Sequence, residues 1–225
     1  MRKGEAKRQD MLAASEKLFL SKGYDATSVQ DILDVLHASK GGFYHHFASK
    51  EDVLKLLCAQ RAERAAAHAA KLLENAQGDM ARINAVLRSF MPLHQEESEF
   101  VRMLMPLIER SEGRAMAMIY QDALREHFLP LLSQEVARAA ENATVYLPVR
   151  GMEEMVLHLV NCCWMSVVAE ISETNREGQR VEAGTLLSQM ERYRRAVEVL
   201  LDAPYGSVEI LRVEELAAVC EGLRG

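Results

Sequence analysis

The segment Thr27–Lys50, TSVQDILDVLHASKGGFYHHFASK, constrains the fold more than any other part of the chain. Thr27 followed by Gln30 predicts a capping box, in which two side chains satisfy free N–H groups at a helix start. After a short turn, Ser39 predicts the N-cap of a second helix at Lys40–His46. Two short helices joined by a tight turn form a helix-turn-helix.

The second helix has a composition that stability alone does not favour. Gly41 and Gly42 lie in its first turn, where each glycine costs about 1 kcal/mol relative to alanine. Glycine removes side-chain bulk and lets a helix approach another surface closely. Phe43 and Phe47 are spaced to anchor one face in the core. The remaining side chains can form hydrogen bonds with phosphates or base edges: Ser39, Lys40, Tyr44, His45 and His46.

From about Asp10 to Leu56 the chain resembles the DNA-binding domain of TetR (tetracycline-repressor-like) transcriptional regulators. The resemblance is carried by these residues in register: Ala13-Ala14, Leu18-Phe19, Gly23-Tyr24, Thr27-Ser28, Ser39-Lys40-Gly41, Phe43-Tyr44, His46-Phe47 and Lys50-Glu51. The chain departs from the family pattern at His37, where the turn usually has glycine. If that turn needs a positive φ, His37 carries a moderate strain cost.

The resemblance implies an all-α fold with two functional parts. Residues 1–50 would form a three-helix helix-turn-helix DNA-binding domain, and residues 51–225 a helical effector-binding and dimerisation domain. The implied function is a ligand-responsive regulator that represses transcription until an effector releases it from a double-stranded DNA operator. Activation stays open as an alternative at this stage.

The family's DNA-contacting positions carry over to nine residues of this chain. We expect Tyr44 and Lys50 on phosphates, and Lys40 and His45 on base edges. Thr27 and Ser28 would anchor the preceding helix to the DNA backbone. The full predicted set is Thr27, Ser28, Ser39, Lys40, Gly41, Gly42, Tyr44, His45 and Lys50.

The charge distribution is compatible with this interpretation, although the chain has a formal net charge of −6. Residues 1–50 contain eight Lys and Arg against six Asp and Glu, so the excess negative charge lies in the rest of the chain. A mildly basic N-terminal segment (residues 1–50, the head) on an acidic remainder (residues 51–225, the body) favours local contact with phosphates. Residues 1–8 are expected to form a basic, poorly ordered arm.

Several classes of protein are not favoured by the sequence. It has no apolar run long enough for a membrane span and no secretory signal, so we expect a cytoplasmic protein without membrane contact. P-loop, nucleophile-elbow, zincin and dinucleotide motifs are lacking, which argues against an enzyme and against a cofactor. The four cysteines show no disulfide spacing. His158 and Cys162 have metal-ligand spacing, but no third ligand is evident, so packing is the preferred interpretation.

Helical periodicity continues after Gly78, where the long helix that begins at Lys50 is expected to end. Further helices are predicted near 80–91, 97–111, 115–141, 151–173, 183–202 and 207–223. The helix at 151–173 is apolar almost all round and needs cover on both faces. The next helix has a heptad-like seam, so the pair is predicted to form a homodimer interface, with a monomer as the alternative. The predicted interface residues are Met155, Leu159, Leu186, Met190, Tyr193 and Val197.

The effector pocket is implied by the family resemblance more than by the residues themselves. Methionine and aromatic side chains suit a small, apolar effector, although an ordinary core has the same composition. The predicted lining is His94, Phe100, Met103, Met116, Tyr120 and Trp164. Two other functions stay open: a helical ligand-binding or scaffold protein that has lost DNA binding, and an all-α enzyme.

Overall fold

The structure, a computed structural model, describes residues 3–91, 99–104, 113–179, 181–211 and 215–216. These residues form helices and connecting turns without a β-strand, so the predicted all-α class is confirmed. The helices with described bounds are α1 (Lys3–Lys22), α2 (Val29–Leu36), α3 (Lys40–Tyr44), α4 (Lys50–Asn75), α5 (Asp79–Phe90), α6 (Gly113–Glu141), α7 (Met152–Arg176) and α8 (Ala183–Leu201).

The helix boundaries differ from the sequence-based ones in a few places. Helix α1 begins at Lys3, so the expected disordered arm is largely helical. Helix α3 ends at Tyr44, two residues before the predicted end. Residues 99–104 are helical, and the rest of the predicted helix 97–111 lies outside the described residues. Residues 207–211 are not helical, which contradicts the start of the predicted helix 207–223.

The chain divides into two compact units. The first contains Met1–Arg61 and Met103–Tyr120, and the second contains Ala62–Arg102 and Gln121–Gly225. Helices α4 and α6 therefore each contribute residues to both units. This division reflects packing density, and the functional division between residues 50 and 51 stays a prediction.

Aromatic side chains form the core of the first unit. Phe19, Phe43 and Phe47 are almost completely buried, and the Phe43 and Phe47 rings lie 5.4 Å apart. A buried ion pair fastens α1 to α4, because Arg61 donates to Glu16 Oε1 through Nε at 3.1 Å and through Nη2 at 2.7 Å. These contacts hold α2 and α3 on a fixed scaffold.

Helices α7 and α8 form the centre of the second unit. The buried face of α7 includes Val160, Trp164 and Val167, and α8 packs against it. Helix α5 is tied to α6 by Arg82 and Glu135, whose guanidinium and carboxylate pair at 2.5 and 2.8 Å. By length and composition α7 could cross a membrane, but half of its apolar window is buried within the chain, as in the core helix of a globular protein.

Candidate nucleic-acid interface

Helix α2 begins one residue later than the sequence pattern suggested. The N-cap is Ser28, whose hydroxyl accepts a hydrogen bond from the backbone N–H of Asp31 at 3.1 Å. Asp31 completes the capping box, since its carboxylate accepts from the Ser28 backbone N–H at 2.6 Å. The predicted box of Thr27 and Gln30 is therefore wrong. Gln30 instead donates to the Asp34 carboxylate along the helix.

A short ion pair connects this cap to the end of α1. Lys22 Nζ lies 2.8 Å from Asp31 Oδ1, while the Ser28 hydroxyl donates to the other carboxylate oxygen at 2.7 Å. The hydrogen bonds from Lys22 and Ser28 lower the pKa of Asp31 well below its ordinary value. The carboxylate is thus held charged at the N-terminus of α2, where the helix dipole also favours it.

Thr27 is positioned inside the domain and not on its surface. Its side chain is 1% exposed, and its hydroxyl donates to the Gly23 carbonyl at 2.8 Å. The direct backbone anchor predicted for Thr27 is therefore not available to its hydroxyl in this conformation. Ser28, by contrast, is exposed.

Lys50 was predicted to contact phosphate, but its ammonium is engaged within the chain. Nζ donates to the backbone carbonyls of Tyr24 and Thr27, each at 2.8 Å. Burial lowers the pKa of Lys50, an effect opposed by the carboxylates of Asp25 and Asp31. The lysine connects the start of α4 to the α1–α2 loop, which is a positioning role that the sequence pattern did not reveal.

The turn between α2 and α3 has the strained geometry that the departure at His37 suggested. His37 adopts φ 49° and ψ 40°, the left-handed region that glycine usually occupies. Its N–H donates to Asp34 O at 3.4 Å, and the Ala38 N–H donates to Leu33 O at 2.9 Å. This pair of hydrogen bonds is the Schellman pattern that ends helices. The turn is therefore formed in the usual way, with histidine in the glycine position.

Helix α3 separates its apolar and polar residues cleanly. Phe43 is buried, whereas Tyr44 is 56% exposed. The Ser39 hydroxyl accepts a hydrogen bond from the Gly42 N–H at 3.2 Å and so caps the helix. The predicted DNA-contacting residues that share the exposed surface are Ser39, Lys40, Gly41, Tyr44 and His45.

The two glycines of α3 have different surroundings. A Cβ added to Gly41 would meet nothing within 4 Å, and the residue does not have a positive φ. Nothing in the described structure therefore requires glycine at this position. At Gly42 an added Cβ would lie 3.5 Å from Lys7 Nζ and 3.4 Å from Ser39 Oγ, so α3 and α1 approach closely there.

Lys7 and Arg8 belong to this surface, although sequence reasoning assigned them only to a basic arm. The Arg8 guanidinium lies 5.5 Å from the centre of the Phe47 ring, and Lys7 Nζ reaches the side of Gly42. Burial, His45, Lys7 and Arg8 together lower the pKa of His46. The helical spacing of the basic residues in α1 was the sequence signal that could have placed Lys7 and Arg8 on this surface. The exposed face of α3 therefore has cations on both its own helix and the neighbouring one.

The predicted effector pocket stays a prediction, because only four of its six residues have described side chains. Phe100, Met103, Tyr120 and Trp164 are buried core side chains. His94 and the side chain of Met116 lie outside the described residues. A cleft of about 370 Å³ occurs elsewhere in the second unit, beside α8. It is lined by Leu187, Met190, Glu191, Arg194, Gly206, Val208, Glu209, Ile210 and Leu211.

The predicted dimer-interface residues fall into two groups. Leu186, Met190 and Val197 are buried within the single chain, and their place in a dimer interface stays a prediction. Tyr193 is half-buried and its hydroxyl lies 3.1 Å from Ser166 Oγ. On α7 the situation differs: Met155 is 53% exposed and Leu159 is partly exposed. Helix α7 therefore presents apolar side chains on its exposed face.

The described cysteines differ in burial, and the spacing of His158 and Cys162 recurs as a close contact on α7. Among the described residues no group of three or more His, Cys, Asp or Glu side chains could hold a metal ion. Cys58 and Cys163 are buried outside any disulfide, and Cys162 is partly exposed. Burial raises the pKa of Cys163 to about 12. Cys220 lies outside the described residues.

Known proteins share this head and this fold. Residues 11–57 match the family described as bacterial regulatory proteins, tetR family. An uncharacterized HTH-type transcriptional regulator from the lacX 3' region of Lactococcus lactis is 44% identical over 45 residues, 20% of this chain and 23% of that protein. The HTH-type transcriptional repressor DhaR of Mycobacterium sp. is 43% identical over 44 residues, 20% of this chain and 22% of DhaR.

These alignments span less than a quarter of either relative. A solved structure of a putative TetR-family transcriptional regulator from Mesorhizobium loti covers 89% of this chain and 98% of its own, with a TM-score of 0.60 and 17% identity. That likeness shows the fold, including the helical body. Residues 11–57 therefore match the tetR family of bacterial regulatory proteins in sequence, and the rest of the chain matches the solved structure in fold.

Proposed function

We propose that this protein is a homodimeric transcriptional repressor that binds operator DNA and is released by a small, apolar effector. One observation carries the proposal: α3 exposes Lys40, Gly41 and Tyr44 together, while Phe43 fixes the opposite face of the helix in the core. A short helix with one rigid side and one polar, sparsely substituted side suits insertion into the major groove.

The residues on this surface have distinct roles in the proposal. Lys40 and His45 reach base edges, because their side chains project from the exposed face and can donate hydrogen bonds. Tyr44 contacts a phosphate, and Ser28 anchors the start of α2 to the DNA backbone. Gly41 leaves room for the DNA surface, since nothing inside the described structure fills the space at its Cβ position. Lys7 and Arg8 add phosphate contacts beside α3.

Dimerisation supplies the second head. The exposed apolar residues of α7, Met155 and Leu159 among them, form the contact between the copies. A helix-turn-helix dimer reads two half-sites about 34–36 Å apart, or a multiple of that distance. The operator should therefore be a palindrome with that spacing.

Repression is relieved by a population shift. An effector that binds the body more tightly in the conformation unsuited to DNA draws the dimer away from its operator. Effector and operator then weaken each other's binding by the same factor. Equal effector affinity with and without operator DNA would contradict this mechanism.

The test is binding of the purified protein to the DNA upstream of its own gene and to a scrambled sequence, measured by fluorescence anisotropy at two salt concentrations. Preference for the upstream DNA, with affinity falling as salt rises, is expected. If no preference appears, selection from random DNA replaces the upstream probe. Failure to enrich any sequence would reject the DNA-binding function.

Single-residue variants test which side chains of the exposed α3 surface contact DNA. Lys40→Ala should weaken specific binding by about 10-fold or more and relax the preference at one base pair of each half-site. Lys55→Ala is the matched control, because Lys55 is an exposed lysine paired only with Glu51 on α4. In vitro transcription from the same promoter then separates repression from activation.

The second candidate function is a helical ligand-binding protein that has lost DNA binding. His37 is the observation that leaves room for it, because histidine occupies the left-handed position that glycine usually takes in this turn. A Lys40→Ala, Tyr44→Ala double variant distinguishes the two functions. Loss of a DNA complex in this variant supports the regulator, and unchanged behaviour in every assay supports the alternative.

A further inference from the structure

Helix α7 has an exposed seam that is separate from its buried face. Met155, His158, Cys162, Met165 and Ala169 follow one another at spacings of three and four residues, the heptad pattern. Met155, His158 and Ala169 are exposed, and Cys162 and Met165 are partly exposed. A mostly apolar heptad seam left uncovered in one chain is suited to an identical seam in a second copy.

Two metal-ligating side chains occupy adjacent positions of this seam. Cys162 Sγ and His158 Nε2 lie 3.6 Å apart on consecutive turns of α7. Zinc binds thiolate at about 2.3 Å and imidazole at about 2.0–2.1 Å, so two such ligands at a tetrahedral angle are about 3.5 Å apart. The side chains are therefore already spaced as a bidentate zinc ligand.

One chain supplies only half of a structural zinc site. The described residues contain no group of three potential ligands, and a structural zinc ion takes four. A two-fold axis that crosses α7 between His158 and Cys162 would bring this pair from each copy to the same point. The second copy is thus the source of the missing ligands.

We propose that His158 and Cys162 of two copies bind one Zn²⁺ at the centre of the α7 seam. The proposal rests on the homodimer proposed above. Each imidazole binds through Nε2 in its neutral form, and each thiol releases its proton to solvent on binding. Two thiolates then neutralise the dication, so the completed site has no net charge. Neutrality matters here because the neighbouring Met155 and Met165 make the interface apolar, and an uncompensated charge would be costly there.

The experiment uses the full chain, purified with a reductant and stripped of metal. Zinc is titrated against a chromogenic chelator, and the mass of the protein is measured in parallel by analytical ultracentrifugation. The expected result is one Zn²⁺ per two chains. Co²⁺ in place of zinc should give the intense visible absorption of a tetrahedral site together with a thiolate charge-transfer band.

Substitutions locate the ligands. His158→Ala or Cys162→Ser removes two of the four ligands of a symmetric site, so affinity should fall by at least about 100-fold, since even outer-shell partners are worth about 10–100-fold. Cys163→Ala is the matched cysteine control because Cys163 is buried on the other side of α7. His68→Asn on α4 is the matched histidine control. Both controls should retain one zinc per dimer.

The possible negative results distinguish failure of the metal site from failure of the proposed dimer. A dimer that binds no zinc, or that binds it equally after His158→Ala and Cys162→Ser, overturns the metal site and leaves the dimer intact. One zinc per chain, or an octahedral Co²⁺ spectrum, also overturns it. A protein that remains a monomer with and without zinc overturns both the dimer and the site.

Discussion

The ammonium of Lys50 lies 4.2 Å from the centre of the Tyr24 ring and donates a hydrogen bond of 2.8 Å to the carbonyl oxygen of the same residue. Tyr24 therefore holds the lysine both by its ring and by its backbone. Burial, followed by the carboxylates of Glu51 and Asp25, raises the pKa of the tyrosine to about 12, so its hydroxyl stays neutral at physiological pH. The lysine is a structural cation of the head.

Replacing Lys50 should therefore affect folding more than the ionic component of DNA binding. Lys50→Met keeps the aliphatic stem but leaves two carbonyls without their donor, and should lower the free energy of unfolding by about 1–2 kcal/mol. Urea denaturation followed by circular dichroism measures this change. Lys55→Met, which breaks only an exposed i,i+4 pair with Glu51, should cost less than about 0.5 kcal/mol.

The salt dependence of operator binding completes this test. Because Lys50 is engaged within the chain, Lys50→Met should leave the slope of log affinity against log salt nearly unchanged. A slope reduced by about one unit per half-site would instead show that Lys50 releases its internal partners and binds phosphate.

His37→Gly should stabilise the protein. The left-handed conformation strains a residue that has a Cβ, and glycine removes that strain, although it also increases the entropy of the unfolded chain. We expect a net gain of up to about 1 kcal/mol in the unfolding free energy. Ala38→Gly is the neighbouring control. Ala38 does not have a positive φ, so the same change should cost about 0.4–1 kcal/mol there. Equal effects at both positions would contradict strain at His37.

The capping box at Ser28 and Asp31 should make stability depend on acid pH. The pKa of Asp31 is lowered in the folded chain from its ordinary value of 3.8, so its contribution is fully present above that value. It is lost as the pH falls below 3.8 towards the folded-state pKa. Asp31→Asn should therefore destabilise the protein at neutral pH and flatten the decline of the urea midpoint with acidification. Asp34→Asn, on the same helix, should leave the decline as steep as in the parent chain.

Glu135 is 3% exposed and accepts two hydrogen bonds from Arg82, so its replacement should be costly. Glu135→Gln leaves a largely buried guanidinium without its hydrogen-bonded carboxylate and should lower the unfolding free energy by about 3 kcal/mol. The control is Glu154→Gln, because the pair of Glu154 and Arg125 is half exposed. A change within about 0.5 kcal/mol is expected there. Similar losses in both variants, measured by denaturant titration, would contradict the importance of burial.

Sequence patterns predicted the helices well because each pattern is local. The serine cap Ser39, for example, lies where propensity places it. The start of α2 was displaced by one residue, since Thr27 and Ser28 are both good caps. Burial of the Thr27 side chain and the ion pair of Lys22 with Asp31 selected Ser28. Neither fact can be derived from the spacing of the residues.

Other features depend on which elements meet in space. The heptad pattern of Leu186, Met190 and Val197 correctly indicated a buried seam, but periodicity does not say what covers it. In this fold α7 of the same chain does, which leaves a different seam exposed. A local pattern also cannot predict that Lys7 lies beside Gly42 or that Lys50 lies beside Tyr24. Each of these pairs joins segments that are far apart in the sequence.

The serine caps of the head also bear on the order in which it folds. Ser28, Ser39 and Ser49 each accept a hydrogen bond from a residue three positions later, so each helix start can form without any distant partner. The contacts of Lys50 with Tyr24 and of Arg61 with Glu16 span 26 and 45 residues, and closing those loops costs more entropy. We expect the local helix starts to form first and the two long-range contacts to form after them.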